Sequence, residues 1–212
     1  EIMKKTIKAD DTFIDIGANI GYLSCIGAGL VGKRGQVHSF EPTPRYFKRF
    51  EEMAKANPDY TIVANNCALG EVPGKAKLDI TSRPNIGWNK MVPNFMQGEP
   101  IRDSIEVPVC RLDEYIKEKQ LDKISLIKID VEGFEFPVLK GLQSYFDNNN
   151  HLPVIICEIA PAAYPLLGYT LSQLSSYIAK YKYRAFSVVY PRNRVDITNL
   201  SQTTNVVFRP FR

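Results

Sequence analysis

Six polar residues that close or follow short apolar runs are the first candidates for chemistry in this sequence. They are Asp15, Glu41, Asn66, Asp130, Glu132 and Glu158. Each lies at the end of a segment that the sequence predicts to be a strand. In open α/β sheets, ligands bind outside the carboxyl ends of the strands, where such side chains would meet. The pattern therefore predicts a ligand site on one rim of a sheet, although an acid at a strand end can also simply cap the next helix.

The sequence TFIDIGANIGY at residues 12–22 predicts a turn that binds a cofactor. An apolar run ends at Asp15, two glycines follow at positions 17 and 21, and an amphipathic segment comes next. Glycine lets the backbone approach a ligand closely, and the first N–H groups of the following helix remain unpaired. We therefore expect an anionic or carboxylate-bearing group at this turn.

Glu41 indicates which kind of ligand the turn would hold. It closes the second apolar run and lies 20 residues after Gly21. At this spacing a carboxylate accepts hydrogen bonds from ribose hydroxyls in nucleoside-binding sheets. The turn departs from the dinucleotide fingerprint, because Asn19 stands where a second glycine would admit a pyrophosphate. A ligand with a ribose but no pyrophosphate fits better, and S-adenosylmethionine is such a ligand.

Four motifs, in this order along the chain, resemble those of the FkbM-type methyltransferases. They are DIGANIGY at 15–22, FEP at 40–42, NCAL at 66–69 and KIDVEGFE at 128–135. The resemblance implies a Rossmann-like α/β fold of the class I S-adenosylmethionine-dependent methyltransferases. Such a fold has a seven-stranded, mostly parallel sheet with helices on both faces and an antiparallel pair at one edge. The implied reaction is methyl transfer to a hydroxyl of a sugar, glycolipid or secondary metabolite.

The resemblance also implies which residues bind the cofactor. Its methionine end would lie on Gly17, Ala18, Asn19 and Gly21, and Asp15 would support this turn from the strand end. Its ribose would be bound by Glu41, beside Pro42, and its adenine would be bordered by Asn66, Cys67 and Ala68. Asp130 could hold its ammonium group. A nucleophilic role for Cys67 is disfavoured, because no histidine accompanies this cysteine.

Three acids near the ends of two later strands are the candidates for catalysis. An aliphatic hydroxyl is a poor nucleophile and benefits from a nearby base. Glu132 could accept its proton directly or through a water, and Glu158 is the alternate base. Together with Asp130 these carboxylates would repel one another unless a proton or a divalent cation intervened, so they could also ligate Mg²⁺. We favour a site without a metal.

Alternating strand and helix patterns predict a single α/β domain across residues 1–212. The pattern breaks down between 72 and 108, where prolines and glycines are frequent, and an irregular insertion is expected there. We expect residues 81–96 to cover the acceptor pocket, and a loosely ordered surface excursion is the alternative. Four residues could contact a sugar: Arg83, Asn85, Trp88 and Asn89.

Composition excludes several other classes of protein. The net charge of +4 is not gathered into the basic runs of a nucleic-acid binder, and no apolar run approaches the length of a membrane span. Four scattered cysteines without a C-x-x-C pair predict free thiols and a cytoplasmic location. Two alternatives remain: a domain that binds a nucleotide cofactor without catalysis, and a nicotinamide-dependent oxidoreductase, which Asn19 disfavours. The sequence does not indicate the oligomeric state.

Overall fold

The computed structural model describes residues 1–81, 89–93, 95 and 101–211 of the chain. Within these ranges strands and helices alternate along most of the sequence. In chain order they are α1 (Ile2–Thr6), β1 (Thr12–Ile16), α2 (Tyr22–Val31), β2 (Gln36–Phe40), α3 (Pro44–Lys55), β3 (Thr61–Asn65), β4 (Ala68–Leu69), β5 (Gly74–Thr81), β6 (Ile101–Cys110), α4 (Leu112–Glu118), β7 (Ile124–Ile129), α5 (Glu135–Lys140), α6 (Gln143–Asn148), β8 (Val154–Ile159), α7 (Leu171–Lys180), β9 (Tyr183–Ser187) and β10 (Thr204–Pro210).

The main sheet has seven strands in the order β3-β2-β1-β7-β8-β10-β9. The first five strands in this order run parallel, and β10 pairs antiparallel with both β8 and β9. The fold class predicted from the sequence is therefore confirmed, including the antiparallel edge. The strand order reverses between β1 and β7, so the carboxyl ends of these two strands flank the topological switch point.

Burial on both faces explains why the central strands are almost continuously apolar. Alternate residues of β1 face opposite layers: Phe13 packs with Ala28 and Val31 of α2, whereas Ile14 and Ile16 belong to the large cluster on the other face. That second cluster includes side chains from α4, α5, α6 and α7. The sheet is thus a rigid layer between helices, and the loops at its rim are positioned by it. In the described ranges, no helix is long and apolar enough to cross a membrane.

The segment predicted to be an irregular insertion, residues 72–108, contains two regular strands. Here β5 pairs antiparallel with β6, and the short β4 completes a second, three-stranded sheet. One face of this sheet is apolar, where Leu78 packs with Ala68, Val107 and Val109. Charged residues on the other face and the proline at position 108 hide this alternation in the sequence. The expectation of irregular structure was therefore wrong for β5 and for the first residues of β6.

Candidate active site

A cleft lies above the carboxyl ends of β1, β2 and β7, with a volume of about 1020 Å³ including the space open to solvent. It is the position that the topology of the main sheet predicts for a ligand. Its lining is Asp15, Ile16, Gly17, Ala18, Asn19, Tyr22, Leu23, Phe40, Glu41, Pro42, Thr43, Tyr46, Cys67, Ala68, Leu69, Leu78, Asn89, Met91, Lys128, Asp130, Val131, Glu132 and Phe134. The walls are largely apolar, and the polar groups are concentrated at the strand ends.

The turn between β1 and α2 has three residues in the left-handed backbone region: Gly17 (φ 75°), Asn19 (φ 54°) and Gly21 (φ 87°). Both glycines are required by contacts within the protein. A Cβ on Gly17 would overlap the carbonyl oxygen of Asp130, and one on Gly21 would overlap the ring of Phe50. The sequence suggested instead that glycine was needed for close approach of a ligand. Positions 17, 18 and 19 line the cleft, whereas Gly21 caps α2 and is absent from the lining.

The carboxylate of Glu41 connects two turns at the edge of the cleft. Its Oε2 accepts a hydrogen bond from the backbone N–H of Asn19 at 2.8 Å, and its Oε1 accepts one from the N–H of Thr43 at 2.8 Å. Burial raises the pKa of Glu41, and these hydrogen bonds oppose the shift because they favour the ionised form. The Thr43 side chain also interacts with this carboxylate, and the lone pairs that remain can accept hydrogen bonds from hydroxyls.

Lys128 lines the cleft but was not among the residues predicted for the site. Its ammonium is buried beneath the cleft, where it donates to the carbonyl of Gly17 at 3.0 Å. It also lies 3.4 Å from Asp15 Oδ1 and 3.5 Å from Asp130 Oδ2. Burial tends to lower the pKa of Lys128, but attraction to the two carboxylates outweighs it and raises the pKa. A lysine inside an otherwise apolar strand was the available signal, because a buried charge requires a partner.

Asp15 is fully buried at the end of β1. Its Oδ2 accepts a 2.6 Å hydrogen bond from the hydroxyl of Ser24 in α2, and that hydroxyl accepts one from Ser39 in β2. The carboxylate thus connects the ends of two strands to the helix above them. Asp15 also lines the cleft.

Some of the residues after β3 line the cleft, and one of them holds a neighbouring turn in place. Cys67 and Ala68 line the cleft, together with Leu69. The amide nitrogen of Asn66 donates instead to the backbone carbonyl of Glu41 at 2.8 Å, so this side chain holds the Glu41 turn and is not part of the lining. Burial raises the pKa of the Cys67 thiol to about 12. The protonated thiol is a poor nucleophile, so this pKa argues against a nucleophilic role for Cys67.

Carboxylate oxygens of Asp130, Glu132 and Glu158 come within 4.8 Å of one another. Burial, followed by repulsion from Glu158 and Asp130, raises the pKa of Glu132 to about 8. Burial and the interaction with Asp130 raise the pKa of Glu158 to about 7. Three oxygen ligands at this spacing could hold a hard divalent cation. Protons that remain bound near neutral pH relieve the same repulsion without a metal.

The three acids are not equivalent with respect to the cleft. Asp130 and Glu132 line it, whereas Glu158 lies beside them and is not part of the lining. Glu135, the last residue of the KIDVEGFE motif, is completely buried near this group. Its Oε1 accepts a 2.7 Å hydrogen bond from the backbone N–H of Gly133. Among the two proposed bases, Glu132 is therefore the one that reaches the ligand space.

Among the four residues expected to contact a sugar, Arg83, Asn85 and Trp88 lie outside the described residues. Asn89 lines the cleft, and its amide nitrogen donates to the hydroxyl of Thr43 at 3.0 Å. Leu78 of β5 and Met91 also line the cleft. The described part of the predicted cover therefore contributes one wall of the ligand space and is joined to the Glu41 turn through Thr43.

The sequence of the chain is similar to a known protein family and to several characterised relatives. A family profile described as the methyltransferase FkbM domain matches residues 15–185. Hexuronic acid methyltransferase AglP of Haloferax volcanii is 27% identical over 155 residues, which cover 73% of this chain and 59% of that protein. The 31-O-demethyl-FK506 methyltransferase FkbM of Streptomyces tacrolimicus is 27% identical over 164 residues, covering 65% of this chain and 61% of that protein. The chain thus spans about three fifths of the length of these relatives.

Solved structures resemble the fold of the chain. The methyltransferase FkbM from Methylobacillus flagellatus KT has a TM-score of 0.58 and 20% identity, with 94% of this chain and 44% of that chain covered. Aeropyrum pernix fibrillarin, solved with natively bound S-adenosyl-L-methionine, has a TM-score of 0.52 and 10% identity, with 95% of this chain and 66% of that chain covered. At these identities the likeness establishes the fold alone.

Proposed function

Since the chain belongs to the methyltransferase FkbM family, we propose that it transfers a methyl group from S-adenosylmethionine to a hydroxyl oxygen. The acceptor would be a sugar, glycolipid or secondary metabolite. The observation that carries the proposal is the cleft itself, which has the Glu41 carboxylate at one side and Asp130 and Glu132 at another. The turn that contains Asn19 lies between them and is bonded to Glu41.

The groups that line the cleft fit the parts of S-adenosylmethionine. Glu41 can accept hydrogen bonds from ribose hydroxyls, and its carboxylate is already oriented by two backbone donors. Cys67, Ala68 and Leu69 offer an apolar surface to an adenine ring. At the turn, Asp130 offers a half-exposed carboxylate to an ammonium group. When bound, the cofactor supplies an electrophilic methyl group on a sulfonium, and the bound S-adenosylmethionine of fibrillarin supports this choice of ligand.

We assign Glu132 as the group that accepts the proton of the acceptor hydroxyl. It lines the cleft, and its raised pKa of about 8 makes its carboxylate a stronger base than an ordinary glutamate. Glu158 is the alternate base, although its position outside the lining favours an indirect role through Glu132. Holding the acceptor oxygen near this carboxylate and the methyl group would supply much of the rate.

The names of the relatives support the class of acceptor. One specifies a hexuronic acid, which is a sugar acid, and another specifies 31-O-demethyl-FK506, a compound named for a missing O-methyl group. We propose that the wall formed by Leu78, Asn89 and Met91 contacts the acceptor. The cysteines of the described residues are free, which supports a reducing compartment such as the cytoplasm. We propose that the acceptor is not a nucleic acid.

The first experiment is a binding measurement by calorimetry with the purified chain. We expect S-adenosylhomocysteine to bind and NAD not to bind, and the reverse result would favour a nicotinamide-dependent oxidoreductase. Transfer of a radiolabelled methyl group from S-adenosylmethionine into sugar and glycolipid acceptors then tests catalysis. Binding of S-adenosylhomocysteine without transfer to any acceptor would favour a binding domain that lacks activity.

Glu41→Ala tests the ribose site. We expect the affinity for S-adenosylhomocysteine to fall at least 100-fold, because two charge-assisted hydrogen bonds to the ribose would be lost, each worth about 1.5–3 kcal/mol. The control is Glu52→Ala, which removes an exposed acid from the same region, in α3. Thermal unfolding without ligand reports separately on the two turns that Glu41 connects. Unchanged affinity in a folded Glu41→Ala variant would contradict the cofactor assignment.

A second measurement concerns the metal. The proposed mechanism uses protons to relieve repulsion among Asp130, Glu132 and Glu158, and it requires no cation. We therefore expect methyl transfer to persist in the presence of EDTA and calorimetry to show no magnesium binding. Loss of activity in EDTA that Mg²⁺ restores would show instead that the three acids form a metal centre.

A further inference from the structure

We propose that Glu135 is a positioning residue that fixes the backbone of Glu132 so that the Glu132 carboxylate faces the acceptor. The inference rests on the proposed function of Glu132. In the turn after β7, Glu132 has φ 51° and Gly133 has φ 98°. A left-handed conformation is unfavourable at a residue with a side chain, so surrounding contacts must hold it.

The hydrogen bond between Glu135 and the Gly133 N–H restrains the left-handed backbone of Glu132. The N–H of Gly133 belongs to the peptide unit that joins Glu132 to Gly133, so holding this N–H limits rotation about ψ of Glu132. Glu135 Oε1 accepts from that N–H at 2.7 Å. This bond closes a tight loop around Gly133.

The loop around Glu135 is tightly packed. The Glu135 side chain is completely buried, and a Cβ on Gly133 would overlap the side chain of Ala163 on the opposite side of the turn. Within the described residues, Glu135 Oε2 and the hydroxyl of Tyr164 are buried without hydrogen-bond partners. A buried carboxyl group is costly to keep where an apolar residue would fill the same space. The hydrogen bond to Gly133, in the turn that carries Glu132, explains why a carboxyl group is buried at this position.

The test compares Glu135→Ala, which removes the acceptor, with Glu135→Gln, which retains an amide oxygen for the Gly133 N–H. Crystals grown with S-adenosylhomocysteine show whether Glu132 keeps its left-handed backbone. We expect Glu132 to leave this region in Glu135→Ala and to remain there in Glu135→Gln. If Glu135→Ala does not fold, Glu135→Asp replaces it, because its shorter side chain withdraws the oxygen from Gly133.

Kinetics then separate positioning from general support of the fold. With radiolabelled S-adenosylmethionine and an acceptor found for the wild-type chain, we expect kcat to fall about 10²-fold in Glu135→Ala, with KM for S-adenosylmethionine nearly unchanged. Glu135→Gln should retain most of kcat. In a Glu132→Gln background, Glu135→Ala should cause no further loss of kcat, because its effect passes through Glu132.

Several outcomes would overturn the proposal. They are an unchanged Glu132 backbone in Glu135→Ala, an unchanged kcat in that variant, or an equal further loss in the Glu132→Gln background. An equal loss of affinity for S-adenosylhomocysteine would indicate a purely structural role. If the wild-type chain transfers no methyl group, the proposed function fails, and the crystal structures still decide whether Glu135 holds the turn.

Discussion

At the scale of single residues, the neighbours of each carboxyl group determine its chemistry. Glu41 and Glu132 are both shielded from solvent, but Glu41 accepts hydrogen bonds from two backbone N–H groups, whereas Glu132 lies near other acids. The first environment orients an acceptor of hydrogen bonds, and the second keeps a proton near neutral pH. Two glutamates at the rim of one sheet are thereby suited to binding and to proton transfer respectively.

Glu132→Gln is predicted to lower kcat for methyl transfer by about 10²–10⁴-fold, because the amide cannot accept the hydroxyl proton. In the wild-type chain kcat/KM should rise with pH through about 8, since the raised pKa of Glu132 means that the carboxylate forms only as the pH approaches that value. The initial rate measured between pH 6 and pH 9 checks this. Glu118→Gln, at an exposed position in α4, is the control. A wild-type rate and pH profile in Glu132→Gln would exclude this residue as the base.

Lys128→Met is predicted to destabilise the fold by about 3 kcal/mol, because it leaves the fully buried Asp15 without its cation. The affinity for S-adenosylhomocysteine should fall as well, since the Gly17 turn loses the hydrogen bond from the ammonium. Urea unfolding and calorimetry measure the two effects. The matched change Lys48→Met, at an exposed position in α3, should shift stability by less than about 0.5 kcal/mol. Equal stability of the two variants would show that the buried ion pair is not required.

At the scale of elements, the ends of the strands form the site through contacts between consecutive turns. The turn after β1 packs on the carbonyl of Asp130 after β7, and the turn after β2 is bonded to the turn after β1 through Glu41. A substitution that shifts one of these turns should therefore shift the others as well. The second sheet adds Leu78 of β5 to the same cleft, so two sheets build the ligand space together.

Gly17→Ala is predicted to destabilise the protein by more than about 2 kcal/mol, because a Cβ would overlap the Asp130 carbonyl and the backbone φ is 75°. Gly29→Ala is the matched change in α2, where a Cβ would meet nothing within 4 Å. It should stabilise the chain by about 0.5–1 kcal/mol, because alanine favours a helix interior. Denaturant unfolding of both variants tests the contrast, and similar effects at the two positions would refute the packing explanation.

At the scale of the whole molecule, the buried acids make the stability of the fold depend on pH. Burial raises the pKa of Glu135 to about 8, despite hydrogen bonds that favour ionisation, and repulsion from Glu158 and Asp130 adds to the shift. A group whose pKa is raised in the folded state contributes full stability below its ordinary pKa of 4.5. This contribution is lost as the pH rises toward about 8.

Glu135→Gln is therefore predicted to gain stability relative to the wild-type chain as the pH rises from 5 to 8, by more than about 1 kcal/mol. The amide carries no proton equilibrium in this range, so its own stability changes only through the other acids. Urea unfolding of both proteins at pH 5, 6.5 and 8 measures the difference. A difference that is constant over this range would show that Glu135 does not titrate with the raised pKa.

The sequence by itself determined the fold class and the rim of the sheet that carries the candidate site. Apolar strands that end in polar residues, alternating with amphipathic segments, specify a parallel sheet whose carboxyl ends carry Asp15, Glu41 and Asp130. Their position follows from local periodicity, because successive parallel strands expose the same end. The motifs also identified the family, which the match to residues 15–185 confirmed.

The tertiary structure alone decided how these residues contact one another. The pairing of Lys128 with Asp15, the bond from Asn66 to the Glu41 turn and the overlap that requires glycine at position 17 all join residues distant in the sequence. It also separated Glu132, which lines the cleft, from Glu158, which does not. A sequence pattern reports which face a residue occupies, whereas distances across neighbouring strands and turns depend on how the elements pack. For that reason the rim could be predicted from the sequence, and the arrangement of charges on it could not.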